Sequence, residues 1–97
     1  MRWSVGFVAA GDPDTDAVVS LEEVVDLADA VARSNGIATG GGGTHYGAQL
    51  VVEADSREEA LERGRAEFDA AVRTAGLPGY PVVREEITSE EEDAMEA

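Results

Sequence analysis

Hydrophobic residues at the start of the chain alternate with small or polar ones. Trp3, Val5, Phe7 and Ala9 occupy every second position of residues 2 to 10. A period of two with aromatic and β-branched side chains is typical of a strand with one buried face. The pattern therefore predicts a first strand, which ends at the chain breakers of residues 11 to 14.

Two later segments carry apolar residues at helical spacing, and each opens on the same signal. Ser20 with Glu23, and Ser56 with Glu59, match the capping box, in which a serine and a glutamate three residues later satisfy each other's backbone amides. The predicted apolar stripe of the first helix is Leu21, Val24, Val25, Ala28, Val31 and Ala32. That of the second is Leu61, Gly64, Phe68, Ala71, Val72 and Ala75, and Gly76 and Pro78 end this helix.

Three further strands are predicted from the remaining segments. Residues 37 to 39 and 46 to 54 form a hairpin around the glycine run 40 to 43, and Tyr46, Ala48, Leu50 and Val52 share one face of its second strand. Residues 80 to 87 form the fourth strand, where Pro81 at the start marks an edge.

The element order is therefore strand, helix, strand, strand, helix, strand. We expect an α+β domain of the ferredoxin-like βαββαβ type, with a four-stranded antiparallel sheet and two helices on one face. The first and third strands are the most apolar, so they are predicted to be central. The domain is expected to span residues 1 to 87, and the acidic residues 88 to 97 are expected to form a frayed tail.

Charge excludes some functions that the fold alone would allow. The chain has 97 residues, 43% of them hydrophobic, with 21 acidic against 7 basic residues and a net charge of -14. Direct binding to nucleic acid or to an anionic membrane needs a basic face, so neither is expected. GC-rich coding or salt adaptation is the preferred explanation of a composition without lysine, and the alternative is an acidic surface that meets a basic protein partner or imitates nucleic acid.

Other chemistry is excluded by residues that the chain lacks. With no cysteine there can be no disulfide, thiolate metal site or cysteine nucleophile. No apolar run reaches the length of a membrane span, so a cytoplasmic location is expected. No sequence motif indicates a cofactor.

One loop resembles a metal-binding motif in its spacing. With Asp12 as position 1, carboxylates fall at Asp14 and Asp16, positions 3 and 5, and at Glu23, position 12, as in an EF-hand calcium loop. Position 6 is alanine where that loop requires glycine, and a strand precedes it where a helix is needed. The alternative, which we favour, is a turn followed by a capped helix.

The glycine run and the single histidine beside it provide a second candidate. A run of glycines can bring backbone amides to an anion, but a strand follows here, so a hairpin tip is the preferred interpretation. His45 could serve as a base or ligand. If two sheets paired, a pocket near His45 could be lined by Trp3, Phe7 and Tyr46, although these aromatic residues are first expected in the core.

The functional hypotheses follow from the sheet. Val8, Gln49 and Val51 are expected on the sheet face opposite the helices. Exposed apolar residues on that face favour packing against a second copy of the chain. The leading hypothesis is a non-catalytic, homo-oligomeric interaction or regulatory module, expected to be a homodimer. The alternatives are a dimeric ligand-binding protein or enzyme with a pocket near His45, and an acidic decoy for a nucleic-acid-binding protein.

Overall fold

The chain folds into a four-stranded sheet and two helices. The structure is a computed structural model that describes residues 1–34 and 36–89. Its elements in chain order are β1 (Arg2–Ala10), α1 (Leu21–Val31), a 3₁₀ turn (Ala32–Ser34), β2 (Ile37–Gly40), β3 (His45–Glu53), α2 (Arg57–Ala75) and β4 (Val82–Ser89).

The sheet is antiparallel throughout, and its strand order is β2-β3-β1-β4. The most apolar strands, β1 and β3, lie at the centre as predicted. The predicted α+β class with a four-stranded antiparallel sheet is thus confirmed. The outer positions go to the short, glycine-bounded β2 and to the charged β4, because a strand with an unpaired edge must tolerate water.

The alternation read from the sequence decides which sheet face is buried. Every second residue of β1, starting at Trp3, is buried, and Tyr46, Ala48, Leu50 and Val52 are buried on β3. Both helices cover this face, and their buried residues join the same core. At its centre Phe7 stacks on Phe68 of α2 with ring centroids 5.2 Å apart.

Both predicted helix starts are confirmed. The Ser20 side chain accepts from the Glu23 amide and the Glu23 side chain accepts from the Ser20 amide, so the capping box is complete. The Ser56 side chain likewise accepts from the Glu59 amide at 3.1 Å. The second helix ends at Gly76 in the left-handed conformation, as predicted.

The rotation of α1 about its axis differs from the prediction. Val24, Leu27 and Val31 are its buried residues, whereas Leu21 and Val25 are 71% and 58% exposed. The sequence allows either stripe because apolar residues cover more than half of the helix circumference. Packing against the sheet selects the face that includes Leu27.

The last strand lies further along the chain than predicted. It runs over Val82–Ser89, so the strand extends two residues beyond the predicted end, and Ser89 is buried. Tyr80 and Pro81 precede the strand. Of the predicted acidic tail, residues 90 to 97 lie outside the described residues.

Candidate interaction surfaces

The sheet face opposite the helices is uncovered by the described residues and forms the first candidate surface. Residues that lie directly opposite each other on neighbouring strands share a face. The row Ile37, Gln49, Gly6 and Glu86 crosses all four strands, and so does the row Thr39, Gly47, Val8 and Arg84. We call this surface the open face; Val51 also lies on it, two residues after Gln49.

The predicted positions of Val8, Gln49 and Val51 are therefore confirmed. Val8 and Val51 are half-buried by their strand neighbours, and Ile37 on the edge strand is 60% exposed. The open face thus presents aliphatic side chains to solvent around a polar centre.

The open face also differs from the rest of the chain in charge. Glu53 and Glu86 are its acidic residues in the described strands, and each lies near a positive group. Glu86 pairs with Arg84 at 2.5 Å, and Glu53 pairs with the N-terminal amine at 3.6 Å. In a chain with a net charge of -14, this face is close to neutral.

A shallow depression of about 240 Å³ lies in the open face. Gly6 forms part of its floor because it has no side chain, and the Gln49 side chain lies over it, 3.3 Å from where a Cβ would stand. Ile37, Arg84 and Glu86 are among the residues that line it. Ligand sites usually enclose about 300 to 1,000 Å³, so the depression is small for a ligand bound by one copy.

The four predicted ligand-binding residues are not brought together. Trp3, Phe7 and Tyr46 are buried beneath the helices, with exposed fractions of 8%, 2% and 1%. His45 is exposed and lies opposite Ala10, which is on the same side of β1 as Gly6 and Val8, so His45 belongs to the open face. The three aromatic residues therefore belong to the hydrophobic core, as the alternative interpretation of the sequence predicts. A single copy cannot form a pocket lined by all four residues, because they lie on opposite faces of the sheet.

The indole N–H of Trp3 and the hydroxyl of Tyr46 form hydrogen bonds to backbone carbonyls within the domain. The indole Nε1 of Trp3 donates to the Ala54 carbonyl at 3.1 Å, and the Tyr46 hydroxyl donates to the Pro78 carbonyl at 2.7 Å. Burial raises the pKa of the Tyr46 hydroxyl above its ordinary value, and the nearby negative charge of Asp69 adds to the effect.

Three of the four predicted metal ligands, Asp12, Asp16 and Glu23, accept hydrogen bonds from the local backbone, and Asp14 contributes its amide. The Asp12 side chain accepts from the Asp14 amide at 2.8 Å, and the Asp16 side chain accepts from the Asp12 amide at 2.6 Å. Glu23 is held in the capping box with Ser20. Within residues 1–34 and 36–89, no three acidic or histidine side chains lie close enough together to hold a metal ion. The loop is a hydrogen-bonded turn and a helix cap.

The glycine run forms a hairpin tip that is bound to the loop before α1. Gly40, Gly41 and Gly42 all have positive φ, which favours glycine because L side chains rarely adopt it. Val19 donates to the Gly43 carbonyl at 2.7 Å and accepts from the Gly42 amide at 2.9 Å. The second bond uses the Gly42 amide, one of the donors that an anion-binding interpretation would need.

A second candidate surface was not predicted from the sequence. Leu21 and Val25 on α1 are 71% and 58% exposed, and Val18, in the loop just before the helix, is 60% exposed. We call these three residues the α1 ridge. The apolar stripe predicted from the sequence includes Leu21 and Val25, so only the rotation of α1 in the folded domain reveals the ridge.

Comparisons with protein-family models, with curated proteins and with solved structures each give no match. Within the part of the chain that the structure describes, neither helix combines the length and the apolar character needed to cross a membrane. The function is therefore inferred from the surfaces of the domain.

Proposed function

We propose that the chain is a ferredoxin-like domain that acts as a non-catalytic, homodimeric interaction module and pairs through its open face. The element order and the sheet order β2-β3-β1-β4 support the fold type. The near-neutral, partly aliphatic open face supports the pairing, and it is the observation on which the proposal rests.

Charge is the reason why this face suits a second copy. Two copies of a chain with a net charge of -14 repel each other, and the repulsion is strongest where acidic side chains meet. On the open face, Arg84 and the N-terminal amine offset Glu86 and Glu53. A two-fold axis through this face would bring together the surfaces of the two copies that repel each other least.

Aliphatic contact would then stabilise the dimer. Ile37, Val8 and Val51 supply apolar surface, and the depression at Gly6 can receive a side chain from the partner. A small domain buries a smaller fraction of its surface than a large one, so covering one sheet face benefits it more.

The test uses two aliphatic residues of nearly equal exposure on opposite sides of the domain. Ile37 on the open face is 60% exposed and Val25 on α1 is 58% exposed. We expect sedimentation equilibrium to show a dimer at tens of micromolar. Ile37→Asp should weaken it at least tenfold, a change of about 1.4 kcal/mol, because the charge enters the interface from both copies. Val25→Asp should leave it unchanged.

Two results would overturn the proposal. One is a strict monomer at tens of micromolar, even with salt added to screen the repulsion. The other is a dimer that Val25→Asp weakens and Ile37→Asp does not. Both substitutions are at exposed positions, so circular dichroism should show that the variants remain folded.

The depression at Gly6 is the observation that favours the second candidate, a dimeric ligand-binding protein. A second copy over the open face would roof the depression and enlarge the enclosed volume. Arg84 and Gln49 would then supply polar groups inside an otherwise aliphatic site. A melting screen of common metabolites tests this, and a stabilising ligand that Gln49→Ala abolishes would favour this candidate over the simple interaction module.

A further inference from the structure

The α1 ridge is an ordered apolar surface that the proposed dimer leaves free. Leu21 and Val25 are one turn apart on the same side of α1, and Val18 lies in the loop just before the N-cap Ser20. The open face lies on the other side of the sheet.

The backbone at the start of the ridge is held in place. Val19 is fully buried and forms two backbone hydrogen bonds with the hairpin tip, and Ser20 caps the helix. A Cβ at Gly41 would lie 2.9 Å from Cδ2 of Leu21, so the ridge begins directly beside the hairpin tip. The backbone that carries the ridge is therefore already fixed before a partner binds.

Acidic residues form the next row on the same helix. Glu22 and Asp26 follow Leu21 and Val25 by one residue each, and Asp29 lies one turn beyond Val25. All three are exposed, and none forms an ion pair with another described residue. Asp26 and Asp29 also line the groove between α1 and α2, where Arg33 is the one cationic lining residue.

We propose that the α1 ridge and its acidic row bind a cationic amphipathic helix of another protein. Apolar anchors at helical spacing on such a partner would pack against Val18, Leu21 and Val25. Lysine or arginine on its flank would lie opposite Glu22, Asp26 and Asp29, which steers association and fixes orientation.

The charge of the acidic row beside the ridge favours a cationic helix over a second copy of the chain as the partner. A second copy would bring its own -14 charge, and in a symmetric contact the same acidic row would face itself. A nucleic acid or an anionic membrane would be repelled by the same carboxylates. A cationic helix gains from both the apolar row and the acidic row.

The experiment uses a fluorescent synthetic peptide of about 18 residues, long enough to form a helix on binding, with leucine on one face and lysine beside it. One control peptide has glutamate in place of lysine, and another has serine in place of leucine. Binding is followed by anisotropy with the full chain. We expect the first peptide to bind and both controls to bind at least tenfold more weakly.

Variants of the chain locate the site. The double substitution Leu21→Ser and Val25→Ser, and separately Asp26→Asn with Asp29→Asn, should each weaken binding at least tenfold. Ile37→Ser, an equally exposed aliphatic residue on the open face, should leave the affinity unchanged.

Three results of the binding experiments would overturn the inference. They are no binding of the lysine–leucine peptide, equal loss of binding in Ile37→Ser and in the ridge variant, and equal binding of the serine control peptide, which would indicate charge attraction alone. A shift of the ridge variant from dimer to monomer would also overturn it, because a second copy would then cover the ridge. Sedimentation of the Ile37→Asp variant tests the proposed dimer separately.

Discussion

The capping box at the start of α1 gives a prediction that separates a helix cap from a metal site. Oε1 of Glu23 accepts from the Ser20 amide at 3.1 Å and from the Ser20 hydroxyl at 3.1 Å. The Ser20 hydroxyl oxygen accepts in turn from the Glu23 amide at 3.2 Å. Glu23→Ala removes the carboxylate that completes this reciprocal arrangement.

The expected cost follows from the exposure of these groups. Both residues are at the surface, where water replaces part of the lost bonding, so the loss is that of an ordinary cap, about 1 kcal/mol. For a domain of this size, that lowers the melting midpoint by about 4 to 8 °C. Glu23→Gln keeps an oxygen acceptor and should cost less, since it loses mainly the favourable charge at the helix N-terminus.

Glu22→Ala is the matched control. Glu22 also lies in the first turn of α1, but the capping box does not use it. Both substitutions remove one first-turn charge, so the difference between them measures the capping contacts alone. We expect Glu23→Ala to be the more destabilising by several tenths of a kcal/mol at least.

Thermal unfolding followed by circular dichroism, with and without millimolar calcium, completes the test. A calcium site would add about 2.7 kcal/mol at a hundredfold excess over Kd and raise the midpoint by about 10 °C or more. We expect calcium to act no differently from magnesium at equal ionic strength. A calcium-specific rise that Asp14→Asn and Glu23→Gln abolish would refute this reasoning, as would equal costs for Glu22→Ala and Glu23→Ala.

Three further predictions concern the stability of the fold. Gly64→Ala should lower the free energy of unfolding by about 1 kcal/mol, because its Cβ would stand 3.1 Å from Cγ1 of the fully buried Val5, and this overpacking outweighs the gain in helix propensity. Urea unfolding measures this change, and a raised midpoint would contradict the prediction. Burial raises the pKa of Tyr46, so the folded state holds this proton more tightly than the unfolded chain, and the free energy of unfolding should fall as pH rises above about 10. In Tyr46→Phe this alkaline loss should be smaller, and the neutral stability should drop by about 1 kcal/mol because the hydrogen bond from the Tyr46 hydroxyl to the Pro78 carbonyl is lost, although that carbonyl still accepts from the Tyr80 amide. Equal alkaline slopes in denaturant titrations would count against the assignment. Added sodium chloride should raise the melting midpoint up to about 0.1 M by screening the net charge of -14, and a flat or falling midpoint would show that repulsion is not limiting.

The sequence by itself determined the type and order of the secondary-structure elements and the two faces of the central strands. The period of two in β1 and β3 defines which residues are buried, since a strand has only two faces and one of them is apolar. Ser20 and Ser56 mark the helix starts through contacts within four residues, so these signals do not depend on the rest of the fold. The neutral open face follows from the same alternation.

Tertiary structure decided what local patterns leave open. A helix with apolar residues around much of its circumference has several candidate faces, and only the sheet selects Leu27 over Leu21 and Val25. Residue spacing alone cannot decide whether the carboxylates of the loop from Asp12 to Glu23 converge on a cation or accept hydrogen bonds from nearby backbone amides. The folded loop shows Asp12 and Asp16 bound to local amides. The closure of the glycine run onto Val19 joins residues distant in sequence, so it too required the assembled fold.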